Sequence, residues 1–127
     1  MAQKYIEGDV VMYGNKIMVV KEPRDRSHFD LSCHKEGLVY CIVDIDEIKP
    51  VRLTSEILEK NGWKNDGYDW YRLPTKRAYL YITKDIQIFG EFLVCVGIDK
   101  HNLASVSFVH ELQHLFFGLG LNSDMEV

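Results

Sequence analysis

The residues that name a chemistry lie near the C-terminus, in His110-Glu111-Leu112-Gln113-His114, an H-E-x-x-H pattern. Four residues apart on a helix, His110 and His114 share one face and can share a zinc ion, with Glu111 placed to take a proton from the zinc-bound water. A catalytic zinc takes three protein ligands and keeps a fourth position for water. The third ligand is the difficulty. The extended motif puts Gly seven and His ten positions after the first His; here those positions hold Phe117 and Gly120, and no His follows His114. The seven residues after Gly120 offer only Asn122, Asp124 and Glu126 as oxygen donors. Upstream, His28, Cys33, His34 and His101 have suitable atoms, and no spacing selects one of them.

The helix that must carry the motif gives a second test. Phe108, Leu112, Leu115 and Leu119 repeat at the spacing of an amphipathic helix over residues 107–118, with Val109 and Phe116 beside them. At about 100° per residue, His110, His114 and Phe117 fall on the far side of that stripe. The pattern therefore predicts two surface histidines on a core-packed helix and no metal. A zinc site at His110 and His114, with Glu111 as general base, is the alternative. His28, Cys33, His34 and Cys41 lack the paired knuckles of a structural zinc site. Cys41 and Cys95 read as inward-facing small hydrophobes on strands.

A different chemistry is offered by residues 60–84. Lys60, Lys64, Arg72, Lys76, Arg77 and Lys84 oppose Asp66 and Asp69, a local excess of +4 in a chain of net charge −4. The same stretch holds Trp63, Tyr68, Trp70, Tyr71, Tyr79 and Tyr81. Aromatic faces stack on bases and cations hold phosphates, so Trp63, Lys64, Trp70, Tyr71, Arg72, Lys76 and Arg77 form a candidate set for an anionic, nucleotide-like or single-stranded ligand. The competing reading is structural: alternate aromatics (Trp63, Trp70, Tyr81) fill a core while Lys and Arg solvate the outside. There is no G-x-G-x-x-G and no G-K-[ST] phosphate loop.

The elements that position these residues follow from the pattern. With 127 residues, 46% hydrophobic and 27% charged, the chain fits one compact domain, 1–127, in two parts. Residues 1–53 read as short strands around turns at Gly14-Asn15 and Lys35-Glu36-Gly37, with Val39, Cys41, Val43 and Ile45 alternating on one side. Five such strands predict a small SH3-like β-barrel, whose closure removes exposed edges. Residues 54–127 begin with a short helix capped by Thr54 and ended by Asn61-Gly62, onto which Trp63 folds back. An antiparallel meander follows, with strands at 68–72, 78–82, 87–89 and 92–98 and a loop at 99–102. The C-terminal amphipathic helix, capped by Ser105 or Ser107, and a short final strand at 124–127 complete an α+β protein. The net charge argues against duplex nucleic acid, and no apolar run reaches membrane-span length. Three cysteines without an export segment point to reduced thiols in the cytoplasm.

Three stretches carry a resemblance: Ile6-Glu7-Gly8-Asp9-Val10-Val11, the run from Ile48 through Pro50-Val51-Arg52-Leu53-Thr54-Ser55-Glu56-Ile57-Leu58 to Trp63, and Val109-His110-Glu111-Leu112-Gln113-His114-Leu115-Phe116-Phe117. Together they resemble a small family of gut-bacterial genomes, their phages and mobile elements, for which no activity is established. In that family the last helix tends to read His-Gln-Leu-Gln-Asn, so Glu111 and His114 depart from it where a zinc enzyme would need them. The resemblance implies a phage or mobile-element setting. The combined expectation is a non-enzymatic binding protein holding a nucleotide-derived signal or a host protein as a counter-defence agent. A zinc-dependent hydrolase, and a structural protein acting as a homo-oligomer through its helix, are the alternatives; exposed Phe117 motivates the last.

Overall fold

Gly14 and Asn15 reverse the chain between β1 (Val10–Tyr13) and β2 (Lys16–Pro23), Gly14 at φ +60°. The computed structural model describes residues 5–33, 37–65, 67, 70–75, 78–84, 91–97 and 99–127. β3 (His28–Cys33), β4 (Leu38–Asp44), a single 3₁₀ turn (Ile45–Glu47) and β5 (Ile48–Pro50) follow. The five strands form one antiparallel sheet in the order β4-β3-β2-β1-β5. Among the described residues β4 and β5 do not pair, so the expected closure into a barrel does not occur. Tyr5, Val11, Met18, Val20, Phe29, Leu31, Val43 and Ile48 bury one face of this sheet as a common core.

After β5 the chain enters α1 (Ser55–Lys60), whose first turn is capped as its sequence predicts: the Thr54 hydroxyl accepts from the Ile57 N–H at 3.2 Å. Gly62, at φ +91°, ends it; a Cβ there would force a strained backbone and meet Leu73 at 3.7 Å. The Trp63 N–H donates to the Leu58 carbonyl at 3.1 Å and its ring is buried, the predicted fold-back. A second antiparallel sheet is a simple meander: β6 (Lys64–Asn65), β7 (Trp70–Pro74), β8 (Tyr79–Lys84), β9 (Phe92–Val96) and β10 (His101–Val106) lie side by side in chain order. The last element is α2 (Val109–Gly118). By their contacts the residues fall into two compact units, one of residues 1–52 with 108–125 and one of 53–107 with 126–127. α2 thus belongs with the first sheet. The chain leaves that unit at Arg52 and returns at Phe108, where the two pair in an antiparallel bridge. No helix of the described residues is long and apolar enough to cross a membrane.

Four sequence expectations need correction. The stretch at 99–102 is not wholly a loop, and Ser105 and Ser107 do not cap α2. Residues 101–106 form β10, and the N-cap is Phe108. A bulge between Asn102 and Ala104 breaks the period-two pattern that would have announced the strand. The tail forms no strand: the Glu126 N–H and C=O bond the side-chain amide of Asn61, each at 2.8 Å. Cys41 is exposed, as are Val39 and Ile42. The cause is a bulge in β4, where two steps on β3 (Phe29 to Leu31) oppose three on β4 (Val43 to Tyr40). The strand expected at 87–89, Lys35, Glu36 and His34 lie outside the described residues.

Asp30 organises that bulge. Its carboxylate accepts from the Ile42 N–H at 2.9 Å and from the Arg24 guanidinium at 2.8 and 2.6 Å, and the residue is buried between Phe29 and Leu31. Ile42 takes φ +55°, a conformation β-branched residues rarely adopt, so the Asp30 bond holds a strained link. Arg24 and the Ile42 N–H together keep the Asp30 carboxyl below its ordinary value of 3.8. A depressed carboxyl contributes stability above its unfolded value and loses it as pH falls through the folded one. In urea unfolding followed against pH, the advantage of the wild type over Asp30→Asn is therefore expected to be full near neutrality and to shrink as pH drops below 3.8. An advantage independent of pH would contradict the pairing.

Candidate functional site

The H-E-x-x-H helix is built differently from its sequence reading. Val109, His110, Leu112, Gln113 and Phe116 are its buried residues, so the inward arc runs through Gln113 and not through Leu115 and Leu119. The expectation that His110 and His114 face solvent is overturned for His110, which is 4% exposed. Its ring lies edge-on to Tyr5 (5.1 Å between centroids) and to His114 (5.5 Å), and parallel to Phe108 (5.9 Å). Apolar count misled the periodicity because two of the inner positions are held by polar side chains, His110 packed among rings and Gln113 bonded to backbone groups of the first unit. The Gln113 amide accepts from the Val10 N–H at 2.8 Å and donates to the carbonyls of Gly8 and Ser123 at 2.9 and 3.0 Å. His114 Nε2 lies 2.7 Å from Oδ2 of Asp9, a carboxylate that is itself buried and also accepts from the Ile6 N–H at 2.9 Å. Burial outweighs both bonds and raises the Asp9 carboxyl above its ordinary value. Burial first, and then the Asp9 charge, raise the Tyr5 phenol as well.

Glu111 serves the helix. As the third residue of α2, its carboxylate accepts from the Phe108 N–H at 3.0 Å, satisfying a backbone donor at the helix start. Phe117, 68% exposed, is the apolar residue that α2 leaves to solvent, as its sequence position suggested. Among the described residues no three His, Cys, Asp or Glu side chains come together as a ligand group.

The aromatic and basic residues of the meander divide between its two faces. Register fixes which is which: Lys64 pairs with Arg72, Arg72 with Tyr81, Tyr81 with Cys95 and Cys95 with Asn102, one row across all five strands. Side chains two apart share a face, so Trp70 and Tyr79 lie on the face of that row, in which Tyr81 and Cys95 are buried. The opposite face carries Leu80, Ile82, Phe92, Val94 and Val106, all buried, with Tyr71 and Leu73. Of the residues singled out in the sequence, Lys64, Trp70 and Arg72 therefore stand together on the outer face. Tyr71 lies on the inner one, Trp63 is 2% exposed within the second unit, and Lys76 and Arg77 lie outside the described residues.

On the outer face, cations lie over rings. The Arg72 guanidinium sits 4.9 Å from the Tyr79 centroid, and Lys100 Nζ is 4.8 Å from Tyr81 and 5.3 Å from Trp70, whose ring meets Tyr81 edge-on at 6.4 Å. Lys100 reaches there from the β9–β10 turn, where its N–H donates to the Gly97 carbonyl and its φ is +50°, unusual for a residue with a Cβ. Sequence reading missed Lys100 because it lies sixteen positions beyond Lys84, and only strand register brings it to Trp70. Cys95, beneath it, has a thiol raised by burial and partly restrained by Lys100; it donates to Asn102 Oδ1 at 3.1 Å. No carboxylate occupies a described strand position of this face. No protein-family model, no curated protein and no solved structure matches the chain.

The three-bond role of Gln113 has a direct test. Gln113→Leu keeps the volume and leaves the buried Val10 N–H and two part-buried carbonyls unmatched, which is expected to cost about 1–3 kcal/mol in urea unfolding, because a stranded buried group pays its desolvation penalty. A cost under about 0.5 kcal/mol, the range of ordinary surface changes, would contradict it.

Proposed function

We propose that this protein is a non-enzymatic binding module whose second sheet presents a cationic, aromatic outer face to an anionic ligand bearing rings, a nucleotide-like molecule. The observation that carries the reading is the pair of cation–ring assemblies, Arg72 on Tyr79 and Lys100 on Trp70 and Tyr81, on a face without carboxylates at its described strand positions. Exposed Tyr79 and half-buried Trp70 offer stacking faces for bases, Tyr81 itself being buried, and the cations offer charge for phosphates. In the phage or mobile-element setting that the resemblance implies, a binder of this kind would act by sequestering a nucleotide-derived host signal in the cytoplasm. The first unit we read as an open SH3-like scaffold, on the strength of its strand order and the 3₁₀ turn before β5.

Two engagements weigh against the zinc-hydrolase alternative: Glu111 is bonded to the helix start and His114 Nε2 to Asp9. Zinc bound in equal amount to protein and lost on His114→Ala would revive it. The homo-oligomer alternative is favoured by one observation, the exposure of Phe117, and solution mass of the wild type against Phe117→Ser separates it from a monomeric binder.

Isothermal titration of the full chain with nucleoside phosphates tests the main reading. Binding is expected for nucleotides and absent for inorganic phosphate. Lys100→Ala, at an exposed turn, is expected to weaken it by about tenfold, the equivalent of about 1.4 kcal/mol. Absence of heat with every nucleotide and oligonucleotide tried would end the reading.

A further inference from the structure

We propose that the outer face of the second sheet takes a single strand of nucleic acid, several nucleotides long and laid along β7 and β8, in preference to a lone mononucleotide. This rests on the reading above and names the ligand class for the same face.

The face has two ring stations. One is Tyr79, 46% exposed, with Arg72 over it; the other is Trp70, half-buried, backed edge-on by Tyr81 and overlain by Lys100. Their separation follows from register. Pro74 faces Tyr79 and Trp70 faces Thr83, so the stations lie four residues apart along the strands. At about 3.3 Å per residue their backbone positions are about 13 Å apart, with the Trp70 ring reaching inward to 6.4 Å from that of Tyr81. Bases stacked within one strand of a duplex are about 3.4 Å apart, so no stacked pair spans the stations. A mononucleotide seated on one ring leaves the other empty. Arg72 stands in the row through Tyr81 with its guanidinium over Tyr79, Lys64 is beside it on β6, and Lys100 comes from the β9–β10 turn to lie over Trp70 and Tyr81. A ring with a cation at each of two separated stations matches an extended chain whose splayed bases meet the rings and whose phosphodiesters meet the cations. A duplex keeps its bases stacked inside and offers no ring face to either station. A polyanion without bases would use the cations and gain nothing from the rings.

Affinity as a function of ligand length is the test, using the full chain and oligothymidylates and oligouridylates of one, two, four and eight nucleotides. Tetramers are expected to bind at least about tenfold tighter than mononucleotides, because the second station is then filled intramolecularly. A gain with either sugar supports the proposal, and the difference between the two series tells DNA from RNA. Three phosphate-holding cations give an expected slope of log K against log salt of about −2, at about −0.7 per contact, and Lys100→Ala should make it shallower by about 0.7. Tyr79→Ala, at an exposed position, is expected to weaken the tetramer by about tenfold and to narrow its advantage over the mononucleotide, because one of the two stations is then gone. If the mononucleotide binds as tightly as the tetramer, the strand proposal fails and the nucleotide reading stands. If heparin fragments bind as tightly as oligonucleotides, the role of the rings fails. If no nucleotide or oligonucleotide binds, both readings fail together.

Discussion

The pleat of the second sheet is the constraint on which the functional account depends. Successive residues of a strand must point to opposite sides, and one side of this meander is dry: Leu80, Ile82, Phe92, Val94 and Val106 are buried. Once they face inward, Trp70, Arg72, Tyr79 and Tyr81 must share the other side, where Tyr79 is exposed, Trp70 and Arg72 are half-buried and Tyr81 is buried. A slip of one residue would exchange the two sets, at the cost of several buried aliphatic side chains worth about 1.5–3 kcal/mol each. The proposed ligand face is therefore held in place by hydrophobic burial on its reverse, and not by the cation–ring contacts themselves.

The first unit is specified by polar groups in dry places. Gln113, Asp9 with His114, and Asp30 with Arg24 each satisfy backbone groups that strand pairing leaves over: the N–H of Val10, the N–H of Ile6 and the N–H of bulged Ile42. Of these, Gln113, Asp9 and Asp30 are buried, and bonded as they are they fix where α2 and β4 sit; with a partner removed, they would cost more than an apolar substitute. The residues of the H-E-x-x-H pattern have structural engagements of the same kind. His110 packs among rings, Glu111 closes the helix start and His114 pairs with Asp9.

Much of the fold follows from local chemistry that a sequence displays. Gly14-Asn15 turns a hairpin, Thr54 and Gly62 bound α1, and Trp63 returns onto it. What escaped is non-local. The inward face of α2 was misjudged because its inner positions include His110 and Gln113, whose partners lie about a hundred residues upstream on β1 and before it. Cys41 was misplaced because a bulge shifts the alternation of β4, and β10 was missed because another bulge hides it. The candidate face was half visible: the mixture of rings and cations at 60–84 is compositional, whereas its sorting into faces, the burial of Trp63 and the arrival of Lys100 depend on strand register.

The central claim is that one face of one sheet, and not the H-E-x-x-H helix, meets the ligand. Mapping by NMR is the most direct measurement: backbone and ring signals followed while a tetranucleotide is added. The account predicts that the largest shifts gather at Trp70, Arg72, Tyr79 and Lys100, with Leu80, Ile82 and Val94 moved little and the α2 signals of His110 and His114 unmoved. Shifts centred on His110, Glu111 and His114, with the outer face of the meander silent, would contradict it.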